Sequence, residues 1–286
     1  QPDQHRVAQR SGARTPMAEW EGGKRGDGQP GGALAAMSAI DLGAAAAKAA
    51  LERAGLPAAE VDHVVMGNAL QTSGDAIYGA RHVALKAGVP IHLPALTVNR
   101  LCGSGLESVV QAAKMLQLDE ARWVLAGGME NMSQAPHVLR GARSGFRLGP
   151  GAQLEDSLFV ALRDSYCGCF MAQTSDNLAR KYGITRAQQD EFALRSHERA
   201  NAANTNGRFA QERIAVEVKA GKKSATVELD DHLFPGTSIE KLAALPAAFG
   251  PESFVTAGNA SGVVDGAAAV VVTTAEQARA AGKTPL

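Results

Sequence analysis

Between Ser38 and Gly128 the chain changes its hydrophobic period five times. Ala39–Ala54 carries apolar residues at helical spacing. It opens on Ser38 with Asp41 three residues later, a capping pair, and closes on Gly55. Val61–Met66 is a short buried-strand run ending at Gly67. Ala76–Ala87 is helix-compatible and stops at Gly88 and Pro90. Leu96–Val98 reads as a strand, and Gly105–Leu118 as a helix with Leu106, Val109, Val110, Ala113 and Leu116 on one stripe. Trp123–Ala126 then runs into Gly127-Gly128 as a third strand. A strict helix–strand alternation of this kind folds as layered α/β with an at least partly parallel sheet.

Composition narrows the layers. Of 286 residues, 54 are Ala and 31 are Gly, whereas aromatics make up 5%. A core of that make-up is built from closely approaching backbones rather than aromatic plugs. The apolar fraction of 45% is that of a folded protein. Lys plus Arg and Asp plus Glu both number 29, giving a net charge of zero, which argues against a basic nucleic-acid binder. The longest purely apolar run, Ala267–Val272, is far too short to span a bilayer, and the polar Gln1–Pro16 is not expected to be a signal peptide. Three cysteines (Cys102, Cys167, Cys169) do not make a disulfide framework and point to a reducing, cytoplasmic setting.

Four regions are expected. Residues 1–37 form an irregular segment, with a Gly-rich insert and a weak strand at 7–12 in which Arg10 falls where burial is expected. Residues 38–128 form an α/β domain. Residues 129–250 form an inserted unit, loop-rich over Met129–Phe170, with a helix from Thr185 to about Asn206 and a hairpin, Ile214–Lys219 and Ala225–Leu229. Small-residue α/β character returns over 251–286, with a strand at Ala267–Thr273 followed by a helix.

The chemistry concentrates in Asn99-Arg100-Leu101-Cys102-Gly103-Ser104-Gly105, between a strand and a helix. A cysteine there meets the positive end of the helix dipole, and the thiolate is the nucleophilic form of the side chain. Gly103 and Gly105 let a ligand approach the sulfur, and the Cys102 N–H can face an oxyanion. On spacing alone, a small buried cysteine flanked by turn glycines is the commoner outcome. Cys167-Gly-Cys169 has no second ligand pair at zinc spacing, and no metal site is expected. Gly127-Gly128 lacks the rest of a dinucleotide loop.

The motifs NRLCGSG, AGGMENMSQAPHVL and TAGNASGVVDGAAA, in that order, resemble the thiolase family, acetyl-CoA acetyltransferases in particular, over Ala13–Leu286. That resemblance implies a layered α/β/α/β/α fold, here its N-terminal half with an inserted loop domain. It implies acyl transfer through a thioester on Cys102: condensation of two acetyl-CoA to acetoacetyl-CoA, or thiolysis of a 3-ketoacyl-CoA. Coenzyme A thioesters would be the substrates, with no cofactor permanently bound. The resemblance also implies that Ser261 hydrogen-bonds the pantetheine arm within the Ala257–Ser261 segment, which includes Ala260. Leu162, Met171, Phe249 and Ala257 match apolar contacts to CoA. Phe170 and Ala172 stand where many members have His and Gly, and Gly221 where some have an adenine-facing Arg; Lys222 and Lys223 could supply charge there or be a solvated hairpin tip. The resemblance further implies a homo-oligomer, dimer or tetramer, in complete relatives.

The family's Asn-Glu-Ala-Phe, Gly-His-Pro and Cys-x-Gly-Gly-Gly segments have no counterpart in these 286 residues. The second half is therefore expected to be largely missing, and the isolated chain to condense acetyl-CoA poorly. A CoA-binding or aggregating remnant without catalysis, and a ketoacyl-synthase-like condensing enzyme, are the alternative readings.

Overall fold

The computed structural model describes residues 7–20, 32–149, 151–220 and 223–284. In chain order the strands and α-helices are β1 (Val7–Arg14), β2 (Ala18–Glu19), α1 (Ala39–Ala54), β3 (His63–Gly67), α2 (Gly79–Lys86), β4 (Ala95–Val98), α3 (Ser104–Gln117), β5 (Val124–Glu130), β6 (His137–Leu139), β7 (Leu154–Asp156), α4 (Ser157–Ala161), α5 (Met171–Tyr182), α6 (Arg186–Thr205), β8 (Val216–Ala220), β9 (Lys223–Val227), α7 (Ile239–Ala243), β10 (Val264–Thr274) and α8 (Ala275–Ala280). The alternating elements expected between Ser38 and Gly128 all form. Ser38 Oγ accepts from the Asp41 N–H at 3.1 Å, and Gly55 closes α1 in the left-handed region at φ 57°. Within the stretch expected to be loop-rich, β6, β7 and α4 also form, and α5 follows it.

The chain divides into two compact units. The first comprises residues 1–134, 210–231 and 263–286; the second comprises 135–209 and 232–262. The expected insertion at 129–250 is thus interrupted. The β8–β9 hairpin returns to the first unit because Val216 and Val218 are buried in its core.

The first unit is a mixed sheet of order β1-β10-β5-β3-β4, with β2 beside β10. β4, β3 and β5 are parallel, and β10 runs antiparallel to β5 and β1. The strand period of two sorts its core residues to two faces. Val64 and Met66 of β3, Leu125 and Met129 of β5, and Ala267, Ala269 and Val271 of β10 join the α1–α2 side. Val65, Val124, Ala126 and Val272 join α3 on the other. The unit therefore supplies three layers of the expected fold: helices α1 and α2, the sheet, and α3. The face of α3 that meets the sheet is Ser104, Ser108, Ala112 and Leu116; of the apolar stripe read from the sequence, Leu116 and the half-buried Val109 join that core. Leu106 is 72% exposed and Val110 40%.

The irregular start expected for residues 1–37 is overturned at Val7–Arg14, which pair with β10 along the sheet edge. Gln9 and Ser11 face the consecutive residues Val272 and Val271, so Arg10 is the extra residue of a bulge and takes no place in the ladder. The Gly-rich insert, residues 21–31, and the Gly221 and Lys222 positions lie outside the described residues.

A charge cluster anchors this first strand. Arg14 grips Asp230 with two hydrogen bonds of 2.7 and 3.0 Å and Glu212 with a third of 2.8 Å. Arg213 reaches the same Asp230 at 3.0 Å, and the Met17 N–H donates to it at 2.9 Å. The Asp230 and Arg213 side chains are each 8% exposed. Burial alone would raise the Asp230 carboxyl, but the hydrogen bonds from Arg14, Met17 and Arg213 outweigh it and hold the group below the usual carboxylate range. Because the folded value is lowered, the stabilisation is complete above the ordinary Asp pKa of about 4 and is lost as pH falls through the lowered value. Asp230→Asn should lower stability by about 3 kcal/mol at neutral pH by leaving two guanidinium groups short of a charge. Urea titrations at pH 7 and pH 3 check this: the gap between variant and parent should narrow in acid.

Candidate active site

In the first unit the site is a turn laid on glycine. A Cβ on Gly67, at the end of β3, would sit 2.4 Å from the Ser104 carbonyl carbon and 2.7 Å from the Gly105 nitrogen. A Cβ on Gly128 of β5 would sit 3.1 Å from the Gly105 Cα. The first turn of α3 thus rests directly on the backbones of two parallel strands, closer than any side chain permits. Gly127 has a different neighbour: its Cβ would strike the Ala268 carbonyl oxygen of β10 at 2.3 Å. These glycines lie within β5 and serve close packing, not a phosphate loop.

The connection from β4 into α3 is a strained turn. Leu101 has φ 49°, the left-handed region that a branched side chain normally avoids. Two side chains hold it there. Asn99 Oδ1 accepts from the Leu101 N–H at 2.9 Å. Ser104 Oγ donates to the Leu101 carbonyl at 2.6 Å and accepts from the Arg100 N–H at 2.8 Å. Arg100 also pairs with Glu107 one turn into the helix. Cys102 follows Leu101 and is exposed, two residues before the first residue of α3. The turn sets Cys102 just before the helix start, where the first N–H groups lack partners within the helix. That exposure excludes a buried Cys102.

A second layer fixes the turn. Asn99 Nδ2 donates to the Ala69 carbonyl at 3.1 Å. The 68–70 segment is in turn clamped by Glu130, which accepts from the Ala69 N–H at 2.9 Å and from Asn68 Nδ2 at 3.0 Å. Burial raises the Glu130 carboxyl above the usual range despite the N–H groups of Ala69 and Leu70 pointing at it. Three residues on, Ser133 ties this stretch to Asp265 through its N–H (3.0 Å) and its hydroxyl (2.5 Å). The segments GMENMSQ and VVDG, far apart in the chain, therefore meet around the support of the Cys102 turn.

The second unit carries the six other candidate residues, in two groups. Leu162 caps α4, and its carbonyl accepts from the N–H of Met171, the first residue of α5, at 3.3 Å. Phe170 lies beside them, with its ring centroid 4.8 Å from Phe159 and 6.3 Å from Phe249. Leu162, Met171 and Phe249 are 39%, 54% and 48% exposed, so they form an open apolar shelf around Phe170. α5 holds the Phe249 end of the shelf: Asp176, itself buried, accepts from the Phe254 N–H at 2.9 Å, and Arg180 donates to the Glu252 carbonyl at 2.8 Å.

Ala257, Ala260 and Ser261 are exposed on a tight turn. Asn259 stitches that turn, its Oδ1 accepting from the Thr256 N–H at 2.8 Å and its Nδ2 donating to Asp190 at 2.9 Å. Asp190 is 1% exposed and also takes two bonds from Arg186, whose other nitrogen donates to the Leu242 carbonyl at 2.7 Å. A Cβ on Gly258 would meet Leu245 and Leu242 at 2.5 and 2.6 Å, so the turn sits flush on α7 and the residues after it.

The positioning residues Asn68, Asn99, Ser104, Glu130, Arg186 and Asp190 were not singled out from the sequence. Asn99 and Ser104 flank the cysteine and had a local signal, short polar side chains at a turn. Glu130 had none, because its partners lie 60 or more positions away. Asp190 had only its pairing with Arg186 one helical turn earlier, which says nothing of its distant partner Asn259.

A sequence-family model described as "Thiolase, N-terminal domain" matches residues 21–276. The human mitochondrial 3-ketoacyl-CoA thiolase is 47% identical over 259 residues, covering 91% of this chain and 65% of that protein. The acetyl-CoA acetyltransferase of Cupriavidus necator is 46% identical over 261 residues, covering 91% and 66%. A crystal structure of the human mitochondrial 3-ketoacyl-CoA thiolase in complex with CoA superposes with a TM-score of 0.89 at 44% identity, over 98% of this chain and 67% of that one. The chain belongs to the thiolase family. It spans about two thirds of the length of the curated relatives it matches.

Gly67→Ala should push the start of α3 off the sheet and cost about 1–3 kcal/mol, the usual penalty of overpacking. Urea titration reads the cost. Alkylation of Cys102 in the folded variant should depart from the parent rate, while Cys167 and Cys169 label as before.

Proposed function

We propose that this chain takes an acyl group from a coenzyme A thioester onto Cys102. The observation that carries the reading is the exposed Cys102 on its strained turn at the start of α3. Sγ attacks the thioester carbonyl, and the negative charge that develops on oxygen is met by the Cys102 N–H at the helix's positive end. The carbonyl re-forms as the CoA thiolate leaves, and sulfur exchanges for sulfur with little change in bond energy. With acetyl-CoA this is the first half of condensation. With a 3-ketoacyl-CoA, Sγ instead attacks the 3-keto carbonyl, the C2–C3 bond breaks, and acetyl-CoA leaves once its α-carbon takes up a proton, the first half of thiolysis. CoA is a substrate here, with no permanently bound cofactor.

The CoA moiety is assigned to the second unit. Leu162, Met171 and Phe249 supply apolar contacts, and the Ala257–Ser261 turn, with Ala260 and the Ser261 hydroxyl, takes the pantetheine arm. The openness of the shelf and the rigid Asn259–Asp190 brace support that assignment. The reading includes a homo-oligomer, dimer or tetramer, and no nucleic-acid partner. No helix among the described residues is long and apolar enough to cross a membrane. The free thiols support a reducing, cytoplasmic setting for this chain.

Intact-mass analysis after incubation with acetyl-CoA should show one acetyl group, mapped to the peptide holding Cys102 and absent from Cys102→Ala. Binding of acetyl-CoA without any adduct would support the CoA-binding alternative and sink acyl transfer. Ser261→Ala should weaken acetyl-CoA binding about fivefold, as loss of one hydrogen bond does, while leaving the fold intact. Titration calorimetry reads the change.

A further inference from the structure

Cys167 and Cys169 have no part in the acyl-transfer reading, yet the fold sets them side by side. They flank Gly168, which takes φ 72°, a left-handed bend that a side chain would strain. The bend is closed on both sides: the Gly168 N–H donates to the Asp164 carbonyl at 2.8 Å, and the Asp164 N–H donates to the Cys169 carbonyl at 2.9 Å. The Cys169 Sγ donates to the Cys167 carbonyl oxygen at 3.7 Å, so the second thiol turns back toward the first residue of the bend. Cys167 is exposed. Cys169 lines a groove of about 310 Å³ together with Gln173, Asp176, Arg180 and Phe249, and it directly precedes Phe170, the centre of the apolar shelf.

We propose that the Cys167-Gly168-Cys169 turn is a reversible dithiol–disulfide site whose state controls the adjoining shelf. Its regulatory half rests on the acyl-CoA reading of that shelf. The oxidant is a small-molecule disulfide. The Cys167 thiolate attacks one of its sulfurs, forming a mixed disulfide and expelling one thiolate. The Cys169 thiolate then attacks the Cys167 sulfur, forming the Cys167–Cys169 bond and expelling the second. Two cysteine thiols are oxidised, one disulfide is reduced to two thiols, and the two protons pass to the released thiolates. A ring spanning three residues gains little from constraining the unfolded chain, and exposed disulfides of that kind are the readily reduced ones. In the oxidised form Cys169, which lines the groove with Phe249 and precedes Phe170, is tied covalently to Cys167. The shelf is thereby reshaped at its Phe170 end.

The test uses the full chain carrying Cys102→Ser, which leaves only these two thiols. It is treated with oxidised glutathione, digested with trypsin and mapped by mass. The peptide from Asp164 to Arg180 should become two hydrogen masses lighter, with no glutathione adduct, and dithiothreitol should reverse the change. Stable glutathione adducts on the two cysteines, or no reaction, would overturn the site. Acetyl-CoA, which has no free thiol, is then titrated against both forms. Oxidation should weaken binding at least threefold, and the added variant Cys167→Ser should abolish that response. Equal affinity of the two forms would overturn the control of the shelf. Failure of the reduced protein to bind acetyl-CoA at all would refute the acyl-CoA reading and with it the regulation, while the mass map decides the disulfide independently.

Discussion

The contact on which the rest of the first unit depends is backbone against backbone: the first turn of α3 resting on Gly67 and Gly128. Any side chain at either position would have to occupy the space of the Ser104 carbonyl or the Gly105 Cα. With the helix start pinned there, the link from β4 must turn sharply, and Leu101 is driven into a left-handed conformation. The strain is offset by short hydrogen bonds from Asn99 and Ser104. Cys102, the next residue along this turn, is exposed.

Around that contact the molecule spends its buried charge on holding segments, not on the layers themselves. Glu130 clamps the loop that carries the Asn99 partner, Asp265 fastens the segment after β5, and Asp230 with Arg14 and Arg213 ties the edge strand to the β8–β9 hairpin. In the second unit Asp190 and Asp176 do the same for the Asn259 turn and the Phe249 stretch. Glu130, Asp265, Asp230 and Asp190 each accept two or more hydrogen bonds. A buried acid is tolerable only when so satisfied, and removing one donor leaves the others in place.

Local patterns carried most of the first unit. Capping residues, stop glycines and period changes located α1, β3, β4, α3 and β5 to within two or three residues, and the motif around Cys102 marked its junction. The reading failed where the outcome turned on partners distant in the chain. Residues 7–14 read as a poor strand because Arg10 was assigned a buried place. The bulge opposite Val271 and Val272 leaves Arg10 without a place in the ladder. The stripe on α3, Leu116 and Val109 apart, was misassigned for a related reason. At the sheet the helix needs small residues, so Ser104, Ser108 and Ala112 turn inward and Leu106 and Val110 do not.

By itself the sequence determined the alternation of layers, the place of Cys102 between a strand and a helix, and the motifs that mark the family, since each depends on residues within one turn of helix or one strand. The tertiary structure alone decided which glycines bear the close approach, which carboxylates brace the two candidate regions, and how Leu162, Met171 and Phe249 gather around Phe170. Those outcomes depend on distances between backbones that come together only when the sheet and the helices close, and no local pattern records them.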